Sequence, residues 1–146
     1  MADKTLIESL QTLQADATVF YQKLRHYHWH VHGPQFFQLH AKLEDLYDHW
    51  AEVIDAVAER ILTVGGQALP TMAQVLSRAT LKEDASFPEA KDMMVRITSD
   101  LGSLLATIQH VRETAEKSSD SGTVAMMDGM IEAESKTLWM LKAYLG

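Results

Sequence analysis

Histidines and carboxylates are concentrated in one segment of the chain, residues 26–60. It reads HYHWHVHGPQFFQLHAKLEDLYDHWAEVIDAVAER and holds six of the seven histidines. Within it, His40 and Glu44 are four residues apart, and so are Asp55 and Glu59. Residues at this spacing share one face of an α-helix and can contact the same metal ion. The spacing therefore predicts two metal-ligating pairs on one helix.

The two pairs point in the same direction but cannot share a metal within one chain. Glu44 and Asp55 are separated by about 16 Å of helical rise, whereas a metal–ligand bond is about 2 Å long. If the same helix of a second subunit packs antiparallel across a two-fold axis, His40 and Glu44 face Asp55 and Glu59 of the partner subunit. The sequence thus predicts equivalent metal sites at a homo-oligomer interface. In the alternative interpretation, each pair belongs to a solvated polar stripe.

His28 is a fifth candidate ligand, or else a histidine at the edge of the core. Imidazoles and carboxylates together suit iron, manganese or zinc, and a carboxylate can bridge two metals. Bundle di-iron centres usually carry Glu-x-x-His pairs that face the bundle interior, and this chain has none. An interface centre is therefore favoured over a centre inside the bundle.

The overall composition excludes several classes of function. The chain has 146 residues, which predicts one domain over 1–146, and a net charge of -7. Nucleic-acid surfaces depend on clustered Lys and Arg, so the charge argues against one. With no cysteine, thiolate sites are excluded. No apolar run reaches the roughly 20 residues of a membrane span, and the N-terminus lacks signal-peptide features. We expect a cytoplasmic protein without membrane contact.

Apolar residues recur at steps of three and four in two long stripes, which predict two helices. The first covers residues 4–31 and precedes Gly33-Pro34. The second begins near Gln35 or Phe36 and ends at Gly65-Gly66. The stripes comprise Leu6, Leu10, Leu13, Ala17, Phe20, Leu24, Tyr27 and Val31, then Leu39, Leu43, Leu46, Trp50, Val53, Val57 and Ile61.

The second half of the chain predicts two more long helices after a long connection. In the connection, Thr71 can cap a short helix that runs to Arg78. The third long helix is expected to be capped by Ser86, with Pro88 in its first turn. A polar turn over 117–122 precedes a fourth helix over 123–144. The sequence therefore predicts an all-α fold: a four-helix bundle with a short extra helix between helices two and three, which lie parallel.

The chain resembles the Dps family, the DNA-binding proteins from starved cells, or mini-ferritins. The resemblance lies in His28-Trp29, GPQFFQLH at 33–40, Asp55, AERI at 58–61 and the closing LWMLKAYLG. It implies a ferritin-like bundle and a hollow dodecameric shell with ferroxidase centres at its two-fold interfaces. This is the arrangement that the ligand spacing requires.

The resemblance also implies a ligand set and a reaction. His28, Asp55 and Glu59 would come from one subunit, with His40 and Glu44 of the partner subunit; family members often have Asp in place of Glu44. This ferroxidase would oxidise Fe2+ to Fe3+, preferably with hydrogen peroxide rather than O2. Two irons supply two electrons per peroxide, and the Fe3+ is mineralised inside the shell. Glu59 would bridge the di-iron pair, and zinc or other divalent metals could compete.

Further residues acquire candidate roles from the resemblance. Trp29 is a candidate electron donor when one iron is bound, or simply a packing residue. Four acidic residues are candidates for an iron-entry pore at a three-fold axis, or else form a solvated face: Glu113, Glu116, Asp120 and Asp128.

The sequence leaves two rival functions open and argues against a third, which is direct DNA binding. Members that coat DNA use a Lys-rich tail, but this chain has only Lys4 before its first helix, so direct DNA binding is not expected. His26 and His30 are four residues apart, as are His28 and His32. Either pair could bind zinc or copper, although they could equally be surface histidines. The rivals are a non-enzymatic zinc- or copper-binding protein and a structural bundle with a degenerate iron site.

Overall fold

Four long helices and one short helix make up the protein, whose computed structural model describes residues 3–146. The helices are α1 (Lys4–His30), α2 (Phe36–Thr63), α3 (Met72–Arg78), α4 (Ala90–Lys117) and α5 (Ser121–Leu145). No strand occurs in this described part of the chain. The all-α prediction and the short extra helix between the second and third long helices are confirmed.

The predicted apolar stripes form the core. Every residue of the stripes on α1 and α2 is buried, including the large rings of Phe20 and Trp50, which meet edge to face at 5.2 Å. α4 adds a third stripe from Met94 to Val111, and Met127 and Leu141 contribute from α5. Burial of these faces, at about 25 cal/mol per Å² of apolar surface, is the main force that holds the helices together.

Two antiparallel hairpins, α1–α2 and α4–α5, pack against each other. Lys23 binds Asp100 at 2.6 Å, and Asp3 at the start of α1 bonds to Ser118 at the end of α4. These contacts make α1 antiparallel to α4. Since α1 is also antiparallel to α2, α2 and α4 are parallel, as the long connection predicted.

Side chains of the residues that precede three of the helices determine where these helices begin. Asp3 caps α1 by accepting a hydrogen bond from the Leu6 N–H at 3.1 Å. Thr71 caps α3 by accepting from the Gln74 N–H at 3.2 Å, as predicted. Asp120 caps α5 and starts it at Ser121, two residues earlier than predicted.

The predicted start of the third long helix is wrong. α4 begins at Ala90 with Glu89 in the cap position, so Ser86 does not cap it. Instead, the N–H and hydroxyl of Ser86 both donate to the Asp84 carboxylate, at 2.8 and 2.5 Å. Arg96 also donates to that carboxylate at 2.9 Å. Ser86 is therefore part of a turn that ends the connection.

None of the helices described within residues 3–146 combines the length and the apolar character needed to cross a membrane.

Candidate metal centre

The five candidate ligands lie on the α1–α2 hairpin. His28 is near the end of α1, and His40 is near the start of α2. Gly33, with a φ of 111°, occupies the left-handed region in the short loop between the helices, a conformation that suits glycine. This tight loop aligns the end of α1 with the first turns of α2.

His28 and His40 are stacked across the hairpin. Their ring centroids are 3.8 Å apart, with 15° between the ring planes. The His28 Nδ1–H donates to the His40 carbonyl at 2.7 Å, and the His40 Nδ1–H donates to the His28 carbonyl at 2.8 Å. The His28 carbonyl lies in the last turn of α1, where carbonyls lack partners within the helix. The two reciprocal hydrogen bonds therefore fix both rings.

These bonds also determine which nitrogen of each ring can bind a metal. A carbonyl oxygen can only accept, so each Nδ1 must carry the proton and each neutral ring keeps its lone pair on Nε2. Metal-binding histidines are commonly oriented in this way by a hydrogen bond from the second ring nitrogen. His28 is only 6% exposed, and its Nε2 lies 3.7 Å from Oε1 of Glu44. Two oriented imidazoles and one carboxylate therefore lie side by side.

Asp55 and Glu59 form a second group farther along α2, and both are exposed. A side-chain hydrogen bond with Asp55 raises the pKa of Glu59, and the charge of Asp55 acts in the same direction. Two carboxyl groups that repel each other in this way are stabilised by a shared cation. The pair is therefore suited to bind a metal that also has ligands elsewhere.

The two groups remain separate in one chain. Within residues 3–146, no three His, Asp or Glu side chains approach one another as closely as a metal ion requires. Glu44 and Asp55 are about 16 Å apart along the axis of α2. Neither group alone supplies the full set of ligands that the sequence suggested.

The structure groups His28 differently from the sequence-based hypothesis, which placed it with Asp55 and Glu59 of its own chain. His28 lies instead against His40 and Glu44 of its own chain. The cause is the register of the hairpin, which brings the end of α1 opposite the start of α2. The spacing of residues along a single helix does not show how two helices are aligned with each other.

Comparisons of the sequence with known proteins point to one family. The ferritin-like domain model matches residues 7–146. The DNA protection during starvation protein 2 of Bacillus anthracis is 38% identical over 143 residues, which span 98% of both proteins. The chain belongs to the Dps family of ferritin-like proteins.

Solved Dps structures agree with this chain over nearly their whole length. The Dps protein of Bacillus brevis has a TM-score of 0.96 and 34% identity, with 100% of both chains covered. The Dps protein of Vibrio cholerae, described as a member of a broad superfamily of ferritin-like diiron-carboxylate proteins, has a TM-score of 0.95 and 34% identity. That match covers 98% of this chain and 90% of the other. The predicted ferritin-like fold is confirmed.

Asp120, one of the candidate pore acids in this Dps-family chain, has a structural role. It accepts hydrogen bonds from the Thr123 N–H at 3.1 Å and from Arg60 at 2.9 Å. Its second carboxylate oxygen accepts from the Thr123 hydroxyl at 2.9 Å. Both oxygens are thus used to cap α5 and to join it to α2, which leaves little capacity for iron in transit.

The other candidate pore acids lie on α4 and α5. Arg112 binds Asp128 at 2.6 Å and Glu116 at 3.1 Å, so a single guanidinium neutralises part of their charge. Glu113 is exposed on α4. A pore built from these three acids remains a prediction, with Arg112 as a cation that it would have to accommodate.

Trp29 does not pack in the core of the chain. Its side chain is 52% exposed, and the Arg25 guanidinium lies 5.0 Å from the centre of the ring. Arg25 also lies 5.1 Å from the Tyr21 ring. The packing interpretation is therefore wrong for the single chain, while the role as an electron donor stays a prediction.

A buried carboxylate that sequence reasoning missed connects α5 to α2. Glu134 is 1% exposed, and its Oε1 accepts a hydrogen bond from Nε2 of His49 at 2.6 Å. The two residues are 85 positions apart, so no local pattern identifies them as a pair. The hydrogen bond from Glu134 raises the pKa of His49 against the opposing effect of burial, and the charges of Glu134 and Glu52 add to the shift.

We expect this pair to make stability depend on pH. The pKa of His49 in the folded state lies above its ordinary value of about 6.5. The ion pair therefore stabilises the folded state fully when the pH is below about 6.5. It is lost as pH rises through the raised folded pKa, because neutral His49 leaves the Glu134 carboxylate buried without a cation. His49 is 44% exposed, so solvent keeps the effect below about 1 kcal/mol. The melting temperature should fall as pH rises above about 6.5, and His49→Gln should remove this fall. An equal fall in the variant would contradict the assignment.

Proposed function

We propose that this Dps-family protein is a ferroxidase and iron store. It oxidises Fe2+, preferably with hydrogen peroxide, at di-iron centres completed between two-fold related subunits, and mineralises Fe3+ inside a dodecameric shell. His28, His40 and Glu44 of one subunit face Asp55 and Glu59 of the partner subunit. This grouping differs from the sequence-based one only in the subunit that contributes His28.

The reciprocal hydrogen bonds of His28 and His40 carry this proposal. They hold two imidazoles with their Nε2 lone pairs free, next to Glu44, although residues 3–146 of one chain contain no complete metal site. A two-fold axis near the middle of α2 brings the second acidic pair to these donors in both sites at once. The completed set of two imidazoles and three carboxylates suits iron.

Phe37 supports a subunit interface on this side of α2. Its ring is 81% exposed, and by helical rotation it lies within about 60° of His40 and on the same side as Asp55. A large apolar ring beside candidate metal ligands is unfavourable in water but stable when a second subunit covers it. The interface that completes the centre would also bury this ring.

The proposed reaction balances with two irons per peroxide. Each Fe2+ gives one electron, so two Fe2+, one H2O2 and two protons yield two Fe3+ and two water molecules. Bound iron would stabilise the ionised form of Glu59 against the neighbouring Asp55, which raises its pKa, and the carboxylate could bridge two ions. Because both electrons reach one peroxide, hydroxyl radical is not released.

The charge of the chain supports protection without contact with DNA. At a net charge of -7, the protein is repelled by phosphate backbones. Removal of Fe2+ and peroxide from solution would be its means of protection, with zinc as a competitor for the same centres.

The test is oxidation of Fe2+ loaded without oxygen, with ferric absorbance and peroxide followed together. We expect about two irons oxidised per peroxide, and Glu59→Gln should slow the reaction at least about tenfold while the shell stays assembled. Glu132→Gln, on the exposed surface of α5, is the matched control and should leave the rate unchanged. Equal rates for Glu59→Gln and the wild-type protein would reject the centre.

A further inference from the structure

A second histidine pair converges on the opposite side of α1. His26 and His30 have their Nδ1 atoms 2.9 Å apart and their ring centroids 4.9 Å apart. Each is two residues from His28, a rotation of about 200° around the helix axis. The pair therefore faces away from the proposed iron centre and has no part in it.

The other histidines at four-residue spacing do not converge in this way. His28 is held by His40, and His32 lies beyond the end of α1, 4.0 Å from Glu89. Of the two pairs that the sequence left open, the structure thus favours His26 and His30.

The ring of His26 is oriented in advance by the turn before α4. Its Nε2–H donates to the Ser86 carbonyl at 2.7 Å, so the lone pair of the neutral ring lies on Nδ1, facing His30. Asp84 and Arg96 hold Ser86 in place through the hydrogen bonds described above. A backbone carbonyl thus fixes the protonated nitrogen of this histidine, as in the pair on the other side of the helix.

The cleft around the pair suits a cation. It has a volume of about 260 Å³, and Glu83 and Asp84 are among the residues that line it. Its lysine, Lys23, is already paired with Asp100 at 2.6 Å. Burial alone would raise the pKa of Asp84, but hydrogen bonds, including those from Ser86, hold it well below its usual range. Because Arg96 already pairs with Asp84 at 2.9 Å, Glu83 is the acid that remains for a cation.

An aromatic ring covers one side of the pair. Phe87 meets the His26 and His30 rings edge to face, at 5.4 and 4.9 Å. An apolar cover limits the access of water and so strengthens the binding of a charge at the nitrogens.

We propose that His26 and His30 form a second cation site for a divalent transition metal of the zinc or copper type. Both Nδ1 atoms bind the ion, and water completes its coordination. Nitrogens that share a tetrahedral zinc are about 3.3 Å apart, so the rings open slightly. The hydrogen bond that the His30 Nδ1–H donates to the His26 carbonyl at 2.8 Å is released at the same time. The proton on His30 Nδ1 moves to its Nε2, so each ring stays neutral.

The donor set determines which metal each site takes. Imidazole-rich sites bind Cu2+ and Zn2+ more tightly than Fe2+, while carboxylates suit iron better than they suit copper. The His26–His30 site would therefore hold zinc or copper while the carboxylate-rich centre handles iron.

The experiment is a titration of assembled, iron-free protein with ZnCl2, in which calorimetry measures the heat of binding. It is performed in a His28→Ala, His40→Ala, Glu59→Gln background, which removes both imidazoles and one carboxylate of the proposed iron centre. We expect one Zn2+ per chain, weakened at least about tenfold by His30→Gln. His30 is substituted instead of His26 because His26 also bonds to the Ser86 carbonyl, whereas His30 bonds to no backbone group outside α1. His32→Gln is the matched control.

Copper provides an independent measurement on the same variants. The electron paramagnetic resonance spectrum of bound Cu2+ should show coupling to two nitrogens in the background protein and to one after His30→Gln. Identical zinc isotherms with and without His30, or copper coupled to no histidine nitrogen, would overturn the proposal. Iron oxidation by the wild-type protein is measured separately, so failure of the ferroxidase proposal would leave the zinc result unchanged.

Discussion

Co-expression of two inactive variants should restore about one quarter of the iron-oxidising centres. His28→Ala removes an imidazole and Asp55→Asn removes a carboxylate, so each variant alone should lose rapid oxidation. In random assembly, half of the two-fold pairs are mixed, and each mixed pair rebuilds one intact centre of its two, which gives about one quarter overall. The measurement is the peroxide-driven rate of ferric absorbance, per chain, in shells purified with a tag on each variant.

A second mixture serves as the inverse control. His28 and His40 lie on the same half of the centre in the structure, so His28→Ala with His40→Ala should restore no activity. If His28 instead acted with Asp55 and Glu59 of its own chain, this second mixture would recover a quarter and the first would recover nothing. Inactivity of both mixtures would show that the centre is not completed between subunits.

These mixtures test which subunit contributes His28 to each centre, a feature that the sequence alone does not determine. Spacing on α2 located His40, Glu44, Asp55 and Glu59, because the period of a helix fixes which residues share a face. The position of His28 relative to them depends on the register between two helices. That register is set by the conformation of the loop at Gly33 and by the two hydrogen bonds to main-chain carbonyls.

The helices themselves followed from the apolar stripes, since burial of one face is what stabilises a bundle helix. The sequence misassigned Ser86 and did not reveal the structural contacts of Asp120, because each of these polar side chains has more than one possible partner. Ser86 could cap a helix by its type, yet it bonds to Asp84. Asp120 could line a pore by its charge, yet it caps α5 and binds Arg60. Such choices are made by residues distant in sequence, which composition and spacing do not reveal.

Asp16→Ala should reduce the free energy of unfolding by about 1–3 kcal/mol, because it removes the three hydrogen bonds that the buried carboxylate accepts from the connection. Asp16 lies on α1, is 1% exposed, and holds the connection after α3. Its Oδ1 accepts from the Thr80 and Leu81 N–H groups at 2.6 and 2.9 Å, and its Oδ2 accepts from the Thr80 hydroxyl at 2.7 Å. The measurement is urea unfolding at fixed protein concentration, since assembly adds to apparent stability.

Asp16→Asn is the matched control, because its amide oxygen can still accept both N–H bonds while its NH2 can donate to the Thr80 hydroxyl. We expect this variant to lie within about 1 kcal/mol of the wild-type protein. Iron oxidation should be unchanged in both variants, since the carbonyls of α1 and α2, and not the connection, hold His28 and His40. An Ala variant as stable as Asn would mean that the connection is held by its apolar contacts with α1, chiefly Val75 against Val19, and not by the carboxylate.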